Sequence, residues 1–439
     1  MRRHVPWAGV IVGALAVSVG GIAGAVRSET PPPEVTSPPV DLAAPALSAG
    51  SLDQQIDALR ARVERLPADG SAWAALGLAY VEQARISGDP RYYDTAETVL
   101  RRSVAVAPDD NFAAAAGDAA LAAARHDFDT AYRRAREGLA INGSNPILLG
   151  ALADAAIQLG RYEEAFTATQ RMVDVRPDTS SLARVSYTWE LRGETALARR
   201  YMERALEVSP SAAASAFAHH HLGELAFDSG DAAAALRHHD RAVDADPRYR
   251  AALQGRAKAH AALDNVDAAV ADYEAVIEST PLPAYVLEYG EFLESLGRTE
   301  EATEMYALFE AAQRLFADAG VAPDVDALLY EADHGDPAEA LTLAEAAVVE
   351  RPFVEMQDAY AWALHRTGRN REALEWSDRA RSIGTRNALW AFHAGIIRSA
   401  LGDAEGARRD LELALEINPH FHPIHAPRAR TELAAMEAQ

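Results

Sequence analysis

From Ser51 onward the chain reads as helices only; the alternation of apolar and polar residues that marks strands is absent. Laid against itself, the sequence falls into register on ten alanines: Ala96, Ala131, Ala165, Ala198, Ala235, Ala269, Ala302, Ala340, Ala373 and Ala407. Their spacings are 35, 34, 33, 37, 34, 33, 38, 33 and 34 residues. A period this narrow signals stacked supersecondary units.

Other positions keep the same step. Five residues before the alanine stands Gly160, Gly193, Gly230, Gly297, Gly335, Gly368 or Gly402, which ends one helix and opens a tight turn. Twelve residues after it stands Pro108, Pro177, Pro210, Pro247, Pro281, Pro352 or Pro419, which stops a second helix. Twelve residues before it lies a small residue: Ala119, Ala153, Ser186, Gly223, Ala257, Gly290, Ala361 or Gly395. Two antiparallel helices of roughly 14 residues cross closely only where small side chains meet. One such pair cannot bury its apolar stripe alone, so each stacks on the next and is expected to touch only its neighbours. Three places depart from the pattern. Ile86–Tyr92 is inserted within the first unit. Arg314 replaces a proline, so the helix before it runs on to about Ala319. Leu328 occupies the small slot of a unit whose first helix, Asp324–His334, is short, and a bend or weak joint is expected at Gly320–Pro323.

The pattern over Gly70–Pro419 resembles the tetratricopeptide repeat, most closely in Gly160-Arg161-Tyr162-Glu163-Glu164-Ala165 and Gly297-Arg298-Thr299-Glu300-Glu301-Ala302. The resemblance implies an all-α fold, an α-solenoid of about ten helical hairpins forming a right-handed superhelix. Its inner wall, built by the first helix of each pair, commonly grips peptides or helices of partner proteins. By family register the inward positions are Asp154, Tyr187, Glu190, His220, Glu224, Phe227, Glu291, Glu294, Trp362 and His365. Their acidic and aromatic character suits a basic or mixed peptide; the alternative is that they are ordinary solvated helix positions. Ala113, Ala116, Ala120 and Ala123 would add a flat stretch to the same wall. The family's clamp of Lys, Asn and Arg for a C-terminal carboxylate is missing: Lys258 is the one lysine of the chain, and no Arg–Asn cluster flanks it.

Ahead of the repeats, Arg2 and Arg3 precede Trp7–Val26, an uncharged run of twenty residues. As a helix it would span about 30 Å, the thickness of a bilayer core. The charge bias places the N-terminus inside and the rest outside. Ala23-Gly24-Ala25 offers a small-x-small cleavage site, so the segment is a signal anchor or a signal peptide. Glu29–Gly50, with Pro31, Pro32, Pro33, Pro38, Pro39 and Pro45, reads as a disordered spacer. The expected organisation is residues 1–28 anchor or signal, 29–50 linker, 51–319 and 320–419 the two parts of the array, and 420–439 a capping helix.

Composition narrows the function. The net charge of −23 repels phosphate backbones and argues against nucleic acid. The absence of cysteine removes disulfides, thiolate nucleophiles and Cys-ligated zinc. No Gly-x-Ser-x-Gly elbow, phosphate loop, His-Glu-x-x-His or dinucleotide fingerprint is present, so no catalytic residue, cofactor or metal site is assigned. Two histidine groups stand apart. His219, His220 and His221 face His238 and His239, with His219 and His239 expected to meet across the hairpin; His420, His422 and His425 follow Pro419. Each reads as a metal or pH-responsive group, or as packed structure. The expected function is a non-catalytic protein-binding scaffold held outside the cytoplasmic membrane, single-pass or secreted after cleavage. The alternatives are a metal- or pH-responsive envelope protein and an accessory subunit of an envelope enzyme.

Overall fold

The computed structural model describes residues 49–438. The anchor or signal reading of residues 1–28 and all but the last two residues of the 29–50 linker lie outside the described residues. Among those described there are 22 helices and no strand. None of these helices is long and apolar enough to cross a membrane.

Helix α1 (Ala49–Arg65) precedes ten antiparallel hairpins. The first five are α2 (Gly70–Ser87) with α3 (Tyr92–Val106), α4 (Phe112–Ala124) with α5 (Phe128–Ile141), α6 (Pro146–Gln158) with α7 (Tyr162–Val175), α8 (Thr179–Glu190) with α9 (Thr195–Glu207), and α10 (Ala212–Asp228) with α11 (Ala232–Ala245). The second five are α12 (Arg250–Ala262) with α13 (Val266–Ser279), α14 (Pro283–Ser295) with α15 (Thr299–Asp318), α16 (Val325–His334) with α17 (Pro337–Glu350), α18 (Val354–Arg366) with α19 (Asn370–Ala380), and α20 (Ala388–Ala400) with α21 (Ala404–Ile417). Helix α22 (His425–Glu437) packs on the last hairpin. The long α15 and the short α16 fall where Arg314 and the Leu328 unit place them.

The register alanines are the contact points. All ten are buried, Ala302 at 2% exposure and the others at 0%. Four residues further on, several second helices insert a knob against a glycine of the first: Leu100 lies against Gly77, and also against Gly117 of the next hairpin, Tyr306 against Gly290, and Leu411 against Gly395. Helix starts are fixed by side chains the period does not reveal. Asp69, Asn111, Asp127, Asn145, Asp178, Asp231 and Asp403 each accept a hydrogen bond from a first-turn amide.

Six of the seven turn glycines adopt left-handed backbone, with φ of +68° at Gly160 and +82° at Gly230, while Gly335, after the short α16, has φ −101°. Of the three units that lack that glycine, two make the left-handed turn all the same, His126 at φ +62° and Asp264 at φ +60°. The tertiary contacts of these hairpins therefore impose a conformation their own residues disfavour.

The expectation that each unit touches only its neighbours fails. Hairpin tips meet connections five to six units further along. The inserted Gly88 turn of the first unit packs near Thr280 and Leu282. Ala322 N donates to Arg125 O at 3.1 Å, and His126 Nδ1 pairs with Ala322 O at 2.9 Å. Val354 N donates to the Tyr162 hydroxyl at 2.9 Å, Thr385 Oγ1 to Leu191 O at 2.5 Å, and Asn418 Nδ2 to Phe227 O at 2.8 Å. The partners in the last three are 191 to 194 residues apart. The solenoid thus returns on itself, and one winding seats directly on the next. The passage Gly320–Pro323 is clasped from outside by Arg125, His126 and Arg351, whose guanidinium donates to Pro323 O.

Candidate functional site

The ten positions assigned by the repeat register do not form one open wall. Asp154, Tyr187, His220, Glu224, Phe227, Glu291 and Trp362 are buried, while Glu190, Glu294 and His365 are half-buried. Ala113, Ala116, Ala120 and Ala123 are buried too. Many of these side chains bond to the next unit along. Asp154 accepts from Arg184 at 3.1 and 2.9 Å, Glu224 accepts from Lys258 at 2.5 Å, and Trp362 Nε1 donates to Asp333 at 2.9 Å. Gln254–Glu288 and His393–Asp358, both 2.7 Å, continue the same ladder. Each rung joins residues 29 to 35 apart, one repeat length. A buried charge left unmatched is costly, so these pairs fix how neighbouring units register.

The remaining positions are engaged in other ways. Glu291 lies 3.7 Å from His422, both wholly buried, an approach from the C-terminal cap into the interior. Glu294 accepts from the Tyr306 hydroxyl, and His365 pairs with Asn370 at 2.7 Å. The histidine groups differ from expectation by one position. His219 meets His238, their Nδ1 atoms 3.3 Å apart, while His239 turns inward to His220 and Glu224. Of His420, His422 and His425, the last two meet ring to ring, centroids 4.4 Å apart. His420 is exposed, His422 Nδ1 accepts from the amides of Ile424 and His425 to cap α22, and His425 stacks on Phe392 at 4.6 Å.

Tyr187, Glu190 and Phe227 are brought together, at the rim of a cavity of about 320 Å³ where the two windings meet. The ends of α8 and α10 contribute Tyr187, Glu190, Phe227 and Asp228; the starts of α18 and α20 contribute Glu355 and Trp390. Arg386 is the one cationic side chain in its lining, and it stands 3.6 Å from exposed Glu416, which leaves the deeper carboxyls without it. Burial, followed by Asp228, Glu355 and Glu224, raises the Glu190 carboxyl well above the ordinary carboxylate range. Burial, followed by Asp324, Asp326, Asp358 and Asp228, does the same to Glu355. The Glu190 Oε2 atom is buried without a hydrogen-bond partner, and so is the indole Nε1 of Trp390, a residue 1% exposed. Convergent carboxyls and aromatic walls in a concave site are features that suit a cationic group backed by apolar chain.

Glu355, Asp228 and Trp390 escaped the sequence reading. Glu355 occupies the first turn of α18, where a carboxylate reads as a helix-dipole residue. Trp390 reads as core. Lys258 carried a signal in being the sole lysine, and the structure spends it on Glu224.

Models of the tetratricopeptide repeat match residues 122–185 in one form and 220–282, 255–320 and 325–388 in another. No curated protein matches the chain. Among solved structures, a thermophilic TPR protein of Thermus thermophilus is 19% identical over 39% of this chain and 91% of its own, with a TM-score of 0.36. A tetratricopeptide repeat protein of Parabacteroides merdae is 16% identical over 61% of this chain and 98% of its own, at 0.40. An IFIT1 monomeric mutant with Gppp-AAAA is 16% identical over 76% and 77%, at 0.47. The matched segments together take in just over half of the chain and lie in phase with the hairpins described above, so the chain belongs to the tetratricopeptide-repeat family.

Proposed function

We propose that this protein is a non-catalytic scaffold that binds a partner protein by taking a basic side chain of that partner into the acidic cavity between its two windings. Trp7–Val26 would hold it at the outer face of the cytoplasmic membrane, or export it after cleavage. The observation that carries the reading is the convergence of Glu190 and Glu355 with no cation of the chain's own between them. Repeat arrays of this kind generally serve protein binding. Here the charge in the cavity supplies a preference within that role, since a guanidinium or ammonium stabilises both carboxylates at once.

Calorimetric titration with an arginine-containing peptide tests this. Binding of the cation favours the ionised carboxyls, so it is accompanied by proton release, and the measured enthalpy varies with the ionisation enthalpy of the buffer. The double variant Glu190→Gln with Glu355→Gln is expected to bind at least tenfold more weakly, without proton release. Equal affinity in wild type and variant would remove the cavity from the binding surface.

A further inference from the structure

We propose that His220, Glu224 and His239 form a binding site for a divalent transition-metal ion of the zinc type, built inside the hairpin of α10 and α11. His220 and Glu224 are four residues apart on α10 and share one face. His239 comes from α11, its ring centroid 5.4 Å from that of His220. One donor atom from each of the three residues can be chosen so that all lie within 4.8 Å of one another, and all three residues are buried.

Two observations point to a ligand rather than to packing alone. First, neither ring nitrogen of His220 makes a hydrogen bond, and neither does Nδ1 of His239, although both residues are at most 1% exposed. Buried imidazoles are ordinarily satisfied, so three idle nitrogens in one place call for a partner. The fourth, His239 Nε2, faces Glu224 Oε1 at 3.2 Å. Ligands held at about 2.0–2.1 Å around a tetrahedral zinc ion sit about 3.3 Å from each other, so this pair already stands at the right separation. Second, among the ten units the knob position that His239 occupies is large in Leu100, Met202, Tyr273, Tyr306 and Leu411 and small in Ala135, Thr169, Ala344 and Ser377, and His239 is its one imidazole. Gly223 and Gly255 clear the space: a Cβ on either would fall within 2.6 Å of the imidazole. Other units fill that slot with side chains that cannot ligate zinc well, and this one places an imidazole there.

The surroundings suit the role. Lys258 Nζ holds Glu224 Oε2 at 2.5 Å, which leaves Oε1 directed at the two imidazoles. Such an outer contact orients a ligating carboxylate. Three protein ligands leave a fourth position for water or a partner's side chain.

The test uses the full chain without an affinity tag, unfolded and refolded with equimolar Zn²⁺ or Co²⁺ because the site is enclosed. One ion per chain is expected to survive gel filtration, with the visible absorption of tetrahedral Co²⁺ and a melting temperature that chelator lowers. His239→Leu, which restores the knob found in other units, is expected to fold and retain no ion. Glu224→Gln is expected to weaken binding at least tenfold and serves if the leucine variant fails to fold. His219→Ala, outside the site, is expected to bind as wild type does. No retained ion in the wild type, or wild-type retention by both His239→Leu and Glu224→Gln, would overturn the proposal.

Discussion

Helix α18 has no side-chain N-cap of its own: Phe353 occupies the cap position, and the amide of Val354 is bonded by the hydroxyl of Tyr162 at 2.9 Å, 192 residues away. Tyr162→Phe removes that oxygen and keeps the ring, which packs by Phe166 at 6.3 Å. Val354 is 2% exposed, so its N–H is left without water as a substitute. An orphaned buried donor costs about 1–3 kcal/mol. If the windings are coupled as the contacts indicate, that cost appears in two places. The urea midpoint falls, and amide exchange in peptides spanning 353–358 accelerates roughly 5- to 150-fold. Thr385→Val severs the neighbouring link from Thr385 Oγ1 to Leu191 O. Its cost should add to that of Tyr162→Phe, because the two links belong to different units and share no partner. Unchanged exchange at 353–358 in Tyr162→Phe would refute the coupling: the array would then behave as a one-dimensional stack, with damage confined to the unit that carries the substitution.

Asp264→Gly is expected to raise stability by about 0.5–1 kcal/mol by relieving the left-handed backbone at φ +60°; the midpoint of chemical unfolding reads it. His126→Gly should gain less, or lose, because His126 also holds Ala322 O, and a gain equal to that of Asp264→Gly would contradict the contact. Gly223→Leu drives a side chain into His239, where even a Cβ would sit 2.6 Å away, and should cost about 1–3 kcal/mol with exchange rising first in α10 and α11. For Glu355 the sign follows from its raised carboxyl: its favourable contribution is complete below the unfolded carboxylate range near about 4.3 and is lost as pH rises through the folded value. Glu355→Gln should therefore be more stable than wild type at pH about 7, with the gap closing toward pH about 4. Parallel stability curves for the two proteins would reject that account.

The register alanines, the glycines before them and the prolines after them act within one hairpin or between neighbours. That is why helix type, the ten units, the long α15 and the short α16 could be read from the residues alone. The site was legible only in fragments. Tyr187, Glu190 and Phe227 followed from the inner face of α8 and α10. Glu355 and Trp390, which complete the cavity, sit on a winding 128 to 203 residues further on, and nothing local associates them with the first three. The histidines show the same limit at shorter range: helical spacing put a pair across the hairpin, but side-chain packing decided that His220, not His219, is the partner of His239.

The sequence by itself determined the repeated hairpin, because small-to-large contacts between adjacent helices depend on residues a fixed step apart. Only the tertiary structure decided that the array closes on itself, that its inner face is largely filled, and that carboxyls from two windings share one cavity. Those outcomes depend on small rotations accumulated over five to six units. A rotation of that kind leaves no period in the residues, yet it sets which distant side chains finally meet.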